Sequence, residues 1–108
     1  MRIAIPVEEK RKDASISDRF ARAPFFVIYD ESTGEIEYYE NTDLDAHGMG
    51  PKTTRLLADN KVNVLITKDV GANALTALQG VGIEIYQAIS GSAKENLNAW
   101  KESKLNKF

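Results

Sequence analysis

Few side chains in this sequence can do chemistry, and they are unevenly placed. The single histidine, His47, stands in the run Asn41-Thr42-Asp43-Leu44-Asp45-Ala46-His47-Gly48-Met49-Gly50-Pro51, and there is no cysteine. A neutral imidazole can ligate a transition metal near neutral pH. Gly48 and Gly50 permit backbone angles and close approaches that other residues resist. Pro51 suits the first position of a helix, where its missing N–H costs nothing. The segment reads as an adaptable loop that delivers an imidazole to a helix N-terminus, where free N–H groups and the helix dipole attract anions. The same residues also fit a plain connecting loop with an exposed histidine.

A second group lies earlier, in Ile16-Ser17-Asp18-Arg19-Phe20-Ala21-Arg22-Ala23-Pro24. Arg19 and Arg22 flank a phenylalanine. One reading has Phe20 plugging the edge of the core with both arginines solvated. The other has the two guanidinium forks facing a bound anion, for which their planar donor sets are well matched.

Composition narrows the function classes. The chain has 108 residues, 43% of them hydrophobic and 28% charged, which fits one soluble globular domain spanning residues 1–108. A net charge of −2 argues against broad nucleic-acid binding, which needs a basic face. Without cysteine there are no disulfides and no thiolate-held metal sites. No apolar run is long enough to cross a bilayer, and Met1-Arg2-Ile3-Ala4-Ile5-Pro6 enters a strand pattern at once, so a cytoplasmic protein without a signal peptide is expected.

The elements that must position these residues follow from periodicity. Ile3, Ile5 and Val7 alternate as a strand, and Pro6 should end ladder pairing on one side. Glu8 to Arg19 is polar without clear period and reads as a surface loop. Phe25 to Asp30 and Ile36 to Glu40 form a hairpin about a turn at Asp30–Gly34, with Tyr38 and Tyr39 on opposite faces. A helix over Lys52–Asp59 buries Leu56 and Leu57, and Asn60 can take the left-handed conformation that ends it. Val62 to Thr67 is a strand covered on both faces. A second helix starts at Asp69 or Gly71, carries Ala74, Leu75 and Leu78, and ends at Gly80–Gly82. Ile83 to Tyr86 is the last strand. Ser92-Ala93-Lys94-Glu95 matches a capping box that opens a third helix, with Leu97 and Trp100 on one face. Lys101 to Phe108 is charged and reads as a frayed end.

The order β-β-β-α-β-α-β-α gives an α/β fold, a mixed five-stranded sheet with helices on both faces. Right-handed crossovers place the first two helices on one face. The loops Glu8–Pro24, Asn41–Gly50, Thr67–Val70 and Gln87–Gly91 then share one edge of the sheet, the edge at which open α/β sheets bind ligands. All three helix N-termini point there, together with Arg19, Arg22, Lys68 and His47. Three positive helix ends and several cations favour an anionic ligand.

The runs Ile3-Ala4-Ile5-Pro6-Val7, Phe20-Ala21-Arg22-Ala23-Pro24-Phe25-Phe26-Val27-Ile28, His47-Gly48-Met49-Gly50, Gly71-Ala72-Asn73-Ala74-Leu75 and Gly82-Ile83-Glu84-Ile85-Tyr86 resemble the dinitrogenase iron–molybdenum cofactor biosynthesis family, which includes NifX, NifY and the C-terminal domain of NifB. The resemblance covers nearly the whole chain. It implies a ribonuclease-H-like sheet of order 3-2-1-4-5. It also implies non-catalytic binding or carriage of an iron–sulfur or iron–molybdenum cluster, held transiently, with a protein partner in cluster assembly. The implied cofactor-binding residues are His47, Gly48, Met49, Gly50, Arg19 and Arg22, with His47 as the metal ligand. Three positions depart from the family pattern. A histidine before the phenylalanine and a glycine after it are here Arg19 and Ala21, and a His-Gly-Gly-Gly loop is here His47-Gly48-Met49-Gly50, so one potential ligand is missing.

A bare metal ion takes about four or more ligands, and one imidazole with carboxylates such as Asp18, Asp45 and Asp69 does not make a closed site. A preassembled cluster brings its own sulfides. Two-metal nuclease chemistry needs carboxylates at the sheet centre, and Ile3 to Val7 has none; no Walker-type phosphate loop is present either. The competing reading is a non-enzymatic module that binds a small anion or a protein partner without metal.

Overall fold

The structure is a computed structural model that describes residues 1–20, 22–41, 49–89 and 91–108. Its elements are β1 (Arg2–Val7), β2 (Phe25–Asp30), β3 (Ile36–Glu40), α1 (Met49–Asp59), β4 (Val64–Thr67), α2 (Ala72–Gly80), β5 (Glu84–Gln87) and α3 (Ala93–Lys101). They form one mixed sheet of order β3-β2-β1-β4-β5, the ribonuclease-H-like order that the resemblance implies. The hairpin pairs antiparallel to β1, while β4 and β5 add in parallel. Pairing of β1 with β4 runs over Ile3 and Ala4 and stops short of Pro6, whose carbonyl instead accepts from Ser17 N–H at 2.9 Å.

Strand alternation splits the core into two layers. Ile3, Ile5, Val7, Val27, Val64 and Ile66 face α3, where they meet Ala93, Leu97 and Ala99. Ala4, Phe26, Ile28, Leu65 and Ile85 face the opposite way, onto Leu57 of α1 and Leu78 of α2. The central strands are apolar on both sides because helices cover both. Tyr38 packs on the first layer and Tyr39 on the second, as alternation requires.

Three expectations change. The segment from Glu8 to Arg19 is more than a surface loop: Ala14, Ile16 and Ser17 are buried, Ile16 bridges to Val7, and Ser15 bridges to Ser92. Ala14 and Ile16 carry a period of two that the surrounding charges mask. The left-handed residue after α1 is Lys61, at φ 58°, and not Asn60. Asn60 remains next to the helix end and its Nδ2 donates to Leu56 O at 2.8 Å. The C-terminal residues are ordered against the sheet. Leu105 is buried, Lys107 bridges antiparallel to Tyr86, and Gln87 N–H donates to Asn106 O at 2.7 Å. The last strand had an unpaired outer edge, and this tail fills it.

Candidate functional site

The loop carrying the two arginines is held by what lies between and beside them. Phe20 is 2% exposed and meets Phe26 edge-to-face, with ring centroids 5.7 Å apart. Burying such a ring stabilises by about 1.5–3 kcal/mol. Ala23 is fully buried, Phe20 N–H donates to Asp69 O at 3.3 Å, and Asn41 Nδ2 donates to Ala23 O at 3.1 Å. Phe20 and Ala23 thus point inward and leave Arg19 and Arg22 on the surface. Neither arginine has an ion pair or hydrogen bond among the described residues.

Both arginines line a cleft of about 250 Å³ with Phe20, Asp69, Val70, Gly71 and Ala74. Its floor is the N-terminus of α2. Gly71 is the N-cap there, and having no side chain it caps nothing. Leu75 N–H makes the first intrahelical bond, to Gly71 O at 2.9 Å. The N–H groups of Ala72, Asn73 and Ala74 have no partner among the described residues. Free N–H groups, the positive end of the dipole and two guanidinium groups make an anion-binding arrangement. Asp69 is the carboxylate on its wall. An adjoining cleft of about 310 Å³ shares Arg19 and Arg22 and adds Glu8, Ser17 and Asp18.

The third helix does not join this site. Ser92 Oγ accepts from Glu95 N–H at 3.1 Å, and the Glu95 carboxylate reaches back to Ser92 N–H at 3.4 Å. Ala93 N–H donates to Ala14 O at 2.9 Å and Lys94 N–H to Lys12 O at 3.1 Å. Every early N–H of α3 is therefore occupied, and the expectation of three free helix ends is corrected. The capping box fills two of them and the loop before Asp18, through Lys12 and Ala14, fills two more.

Lys68 is also removed from the set of free cations: its Nζ lies 3.2 Å from Asp18 Oδ1. That pair joins the loop after β4 to the arginine loop, and Thr67 Oγ1 donates to Asp69 O at 3.2 Å within the same turn. His47 and Gly48 lie outside the described residues. Met49 and Gly50 form the first turn of α1, two residues earlier than the start expected near Pro51. Among the described residues no group of three or more histidine or acidic side chains could hold a metal ion. The α2 N-terminus is one of the three helix ends expected at this edge, and its Ala72–Ala74 N–H groups stay free because Gly71 offers no capping side chain.

A further cleft of about 360 Å³ lies elsewhere, between Glu31, Tyr86, Trp100, Lys101 and Leu105. Its cation is occupied, since Lys101 Nζ donates to Tyr29 Oη at 3.2 Å and sits 4.5 Å above that ring.

Comparison with known proteins agrees with the fold. An uncharacterized protein of Methanocaldococcus jannaschii, MJ0580, is 34% identical over 112 residues, covering 100% of this chain and 92% of its relative. A candidate NifB protein from Thermotoga, TM1290, of the DUF35 family, superposes with a TM-score of 0.89 at 42% identity, covering 98% of this chain and 91% of that one. The apo form of the orange protein from Desulfovibrio gigas superposes with a TM-score of 0.93 at 30% identity, covering 99% and 92%. The family model described as dinitrogenase iron-molybdenum cofactor matches residues 1–103, and the chain belongs to that family.

Proposed function

We propose that this protein is a non-enzymatic carrier that holds an anionic iron–sulfur cluster, of the iron–molybdenum cofactor precursor type, and passes it on. The observation that supports this most is the uncapped N-terminus of α2 between two unpaired arginines. Such a cleft attracts a preassembled anion without supplying its inner ligands. Membership in a family named for the cofactor supports this choice of cargo. A relative described in its apo form is consistent with a protein that takes up and loses a ligand. In this reading His47 provides the one metal–nitrogen bond, and Gly48, Met49 and Gly50, which follow it in the chain and lead into α1, contribute to holding the cluster. Arg19 and Arg22 balance the cluster's charge. One ligand and screened charges give weak, reversible binding, which suits handover to a protein partner in cluster assembly.

A second reading, a small anion bound without metal, is favoured by one finding. The described donors in the cleft are N–H groups and guanidinium groups, and no group of metal ligands accompanies them.

Anaerobic addition of cluster material, removal of the excess and visible absorbance of the re-isolated protein test the first reading. Retained absorbance that His47→Ala abolishes supports it. Absorbance also fades on acidification, since a protonated ring cannot ligate. If His47→Ala retains cluster as the wild type does, the imidazole is not the ligand. Phosphate titration followed at the Ala72–Ala74 amides then tests the metal-free reading.

A further inference from the structure

The two edges of the sheet are treated differently. At β5 the chain closes its own edge: Lys107 bridges to Tyr86, Gln87 N–H donates to Asn106 O at 2.7 Å, and Phe108 N–H donates to Ile85 O at 3.1 Å. At β3 nothing equivalent occurs among the described residues. The hydrogen-bonded positions of the hairpin are fixed by Asp30 N–H to Glu35 O and Asn41 N–H to Pro24 O, both 2.9 Å. In an antiparallel ladder every second residue turns its N–H and C=O to the partner strand. Glu37, Tyr39 and Asn41 therefore face β2, and Ile36, Tyr38 and Glu40 present theirs outward. None of these three outward groups has a hydrogen bond elsewhere.

The strand carries few of the devices that blunt an exposed edge. It has no proline, no lysine and no bulge, and its central tyrosines favour extended backbone. Its two glutamates are the remaining deterrent, and Glu37 is already held by Arg2, Nη2 to Oε2 at 3.5 Å, and by the Tyr39 hydroxyl.

We propose that β3 pairs with β3 of a second copy of this chain, antiparallel across a two-fold axis at Tyr38, to join two sheets into one. This register is the one that engages all three outward residues of both copies. Tyr38 meets Tyr38 of the second copy, and Ile36 meets Glu40. On the intervening positions Glu37 meets Tyr39, so no two carboxylates stand directly opposite. A slip of two in one direction sets Glu37 against Glu37 of the second copy, and the opposite slip leaves Ile36 without an outward partner. Tyr38 and Ile36 are half-buried in the monomer, so their remaining apolar surface is covered by the same contact. The contact is a single strand wide, below the size of a standard stable interface. Association is therefore concentration-dependent.

Sedimentation velocity of the full chain from micromolar to millimolar concentration tests this, together with amide hydrogen exchange at both ends of the range. The expected result is a shift toward twice the monomer mass. Exchange at Ile36, Tyr38 and Glu40 slows with concentration, while Glu37 and Tyr39, already in the ladder, do not change. Tyr38→Pro removes an N–H that β2 does not use and holds the protein monomeric. If that variant fails to fold, the wild-type exchange pattern decides alone. A monomer at every concentration overturns the proposal, as does a dimer in which the three outward amides exchange as fast as in the monomer.

Discussion

Arg19 and Arg22 are exposed and unpaired, which separates their role from folding. A hydrogen bond to a charged group contributes about 1.5–3 kcal/mol. Arg22→Ala and Arg19→Ala are each expected to weaken anion binding by roughly that amount while leaving the melting temperature almost unchanged; isothermal titration and thermal melts check the pair of outcomes. Gly71 allows a sharper test. Its φ of −65° is ordinary, and a Cβ there meets nothing within 4 Å. Gly71→Asp would cap α2 and place a negative charge in the cleft. Aspartate is better than glycine at an N-cap by a few tenths of a kcal/mol. Melting temperature should rise slightly as anion affinity falls, and a variant that binds the anion as well as wild type removes α2 from the site.

At the opposite end of the sheet Asp30 carries a pH dependence. Its partial burial works to raise the carboxyl, but hydrogen bonds from the Ser32 and Thr33 N–H groups and the Arg2 guanidinium outweigh it and hold it below the ordinary carboxylate range. A lowered folded-state value means that the unfolded chain binds the proton more readily. The stabilisation is present at neutral pH and disappears as pH falls through the folded-state value. Asp30→Asn should melt below wild type at pH 7, and the gap should close in strong acid.

At the scale of elements, α2 and α3 start alike in outline and differ in their bonds. The α3 start has a serine cap, a reciprocal glutamate and two carbonyls from the loop after β1, those of Lys12 and the buried Ala14. It also depends on Gly91, whose φ of 127° favours glycine and whose Cβ would come within 2.9 Å of the Glu95 carboxylate. Ser92→Ala should cost about 0.5–2 kcal/mol in chemical denaturation. Gly91→Ala should cost about 1–3 kcal/mol from backbone strain alone. Neither should alter anion affinity, because the α3 N–H groups are already spent. A loss of binding in Ser92→Ala would mean that α3 belongs to the site after all.

Across the whole molecule, the tail and the first β-hairpin close or leave open the sheet's two ends. Leu105 packs in the layer under α3 with Trp100 and Tyr86. Leu105→Ala should destabilise by about 2 kcal/mol, the low end for a buried leucine, since the residue lies at the rim. No change in the denaturation midpoint would return the tail to the frayed end that its charge suggests. Arg2 ties the far end together: Nε donates to Asn60 O at 2.8 Å, and its Nη atoms reach Asp30 at 3.4 Å and Glu37 at 3.5 Å. This clamp keeps β1, the hairpin and the end of α1 in register, far from the loops that carry the arginines.

The strands and both helix faces were legible in the sequence, because burial imposes periods of two and 3.6 on any chain that makes this fold; the helix starts near Pro51, Gly71 and Ser92 were legible from cap and turn residues, and the sheet order 3-2-1-4-5 came from the family resemblance. The clustering of Arg19, Arg22 and Gly71 at one edge followed from strand direction, because the loops that leave the parallel strands β1 and β4 emerge at the same end of the sheet. Tertiary structure decided which polar groups remain free. Lys68 and Arg19 lie in neighbouring loops, yet Asp18 neutralises the first and nothing pairs the second. The helix starts at Gly71 and Ser92 were read equally as positive ends, yet Ala14 and Lys12, about eighty residues upstream of the helix they cap, silence one of them. Local pattern fixes where a donor sits along the chain; whether it is satisfied depends on partners brought together only when distant segments pack.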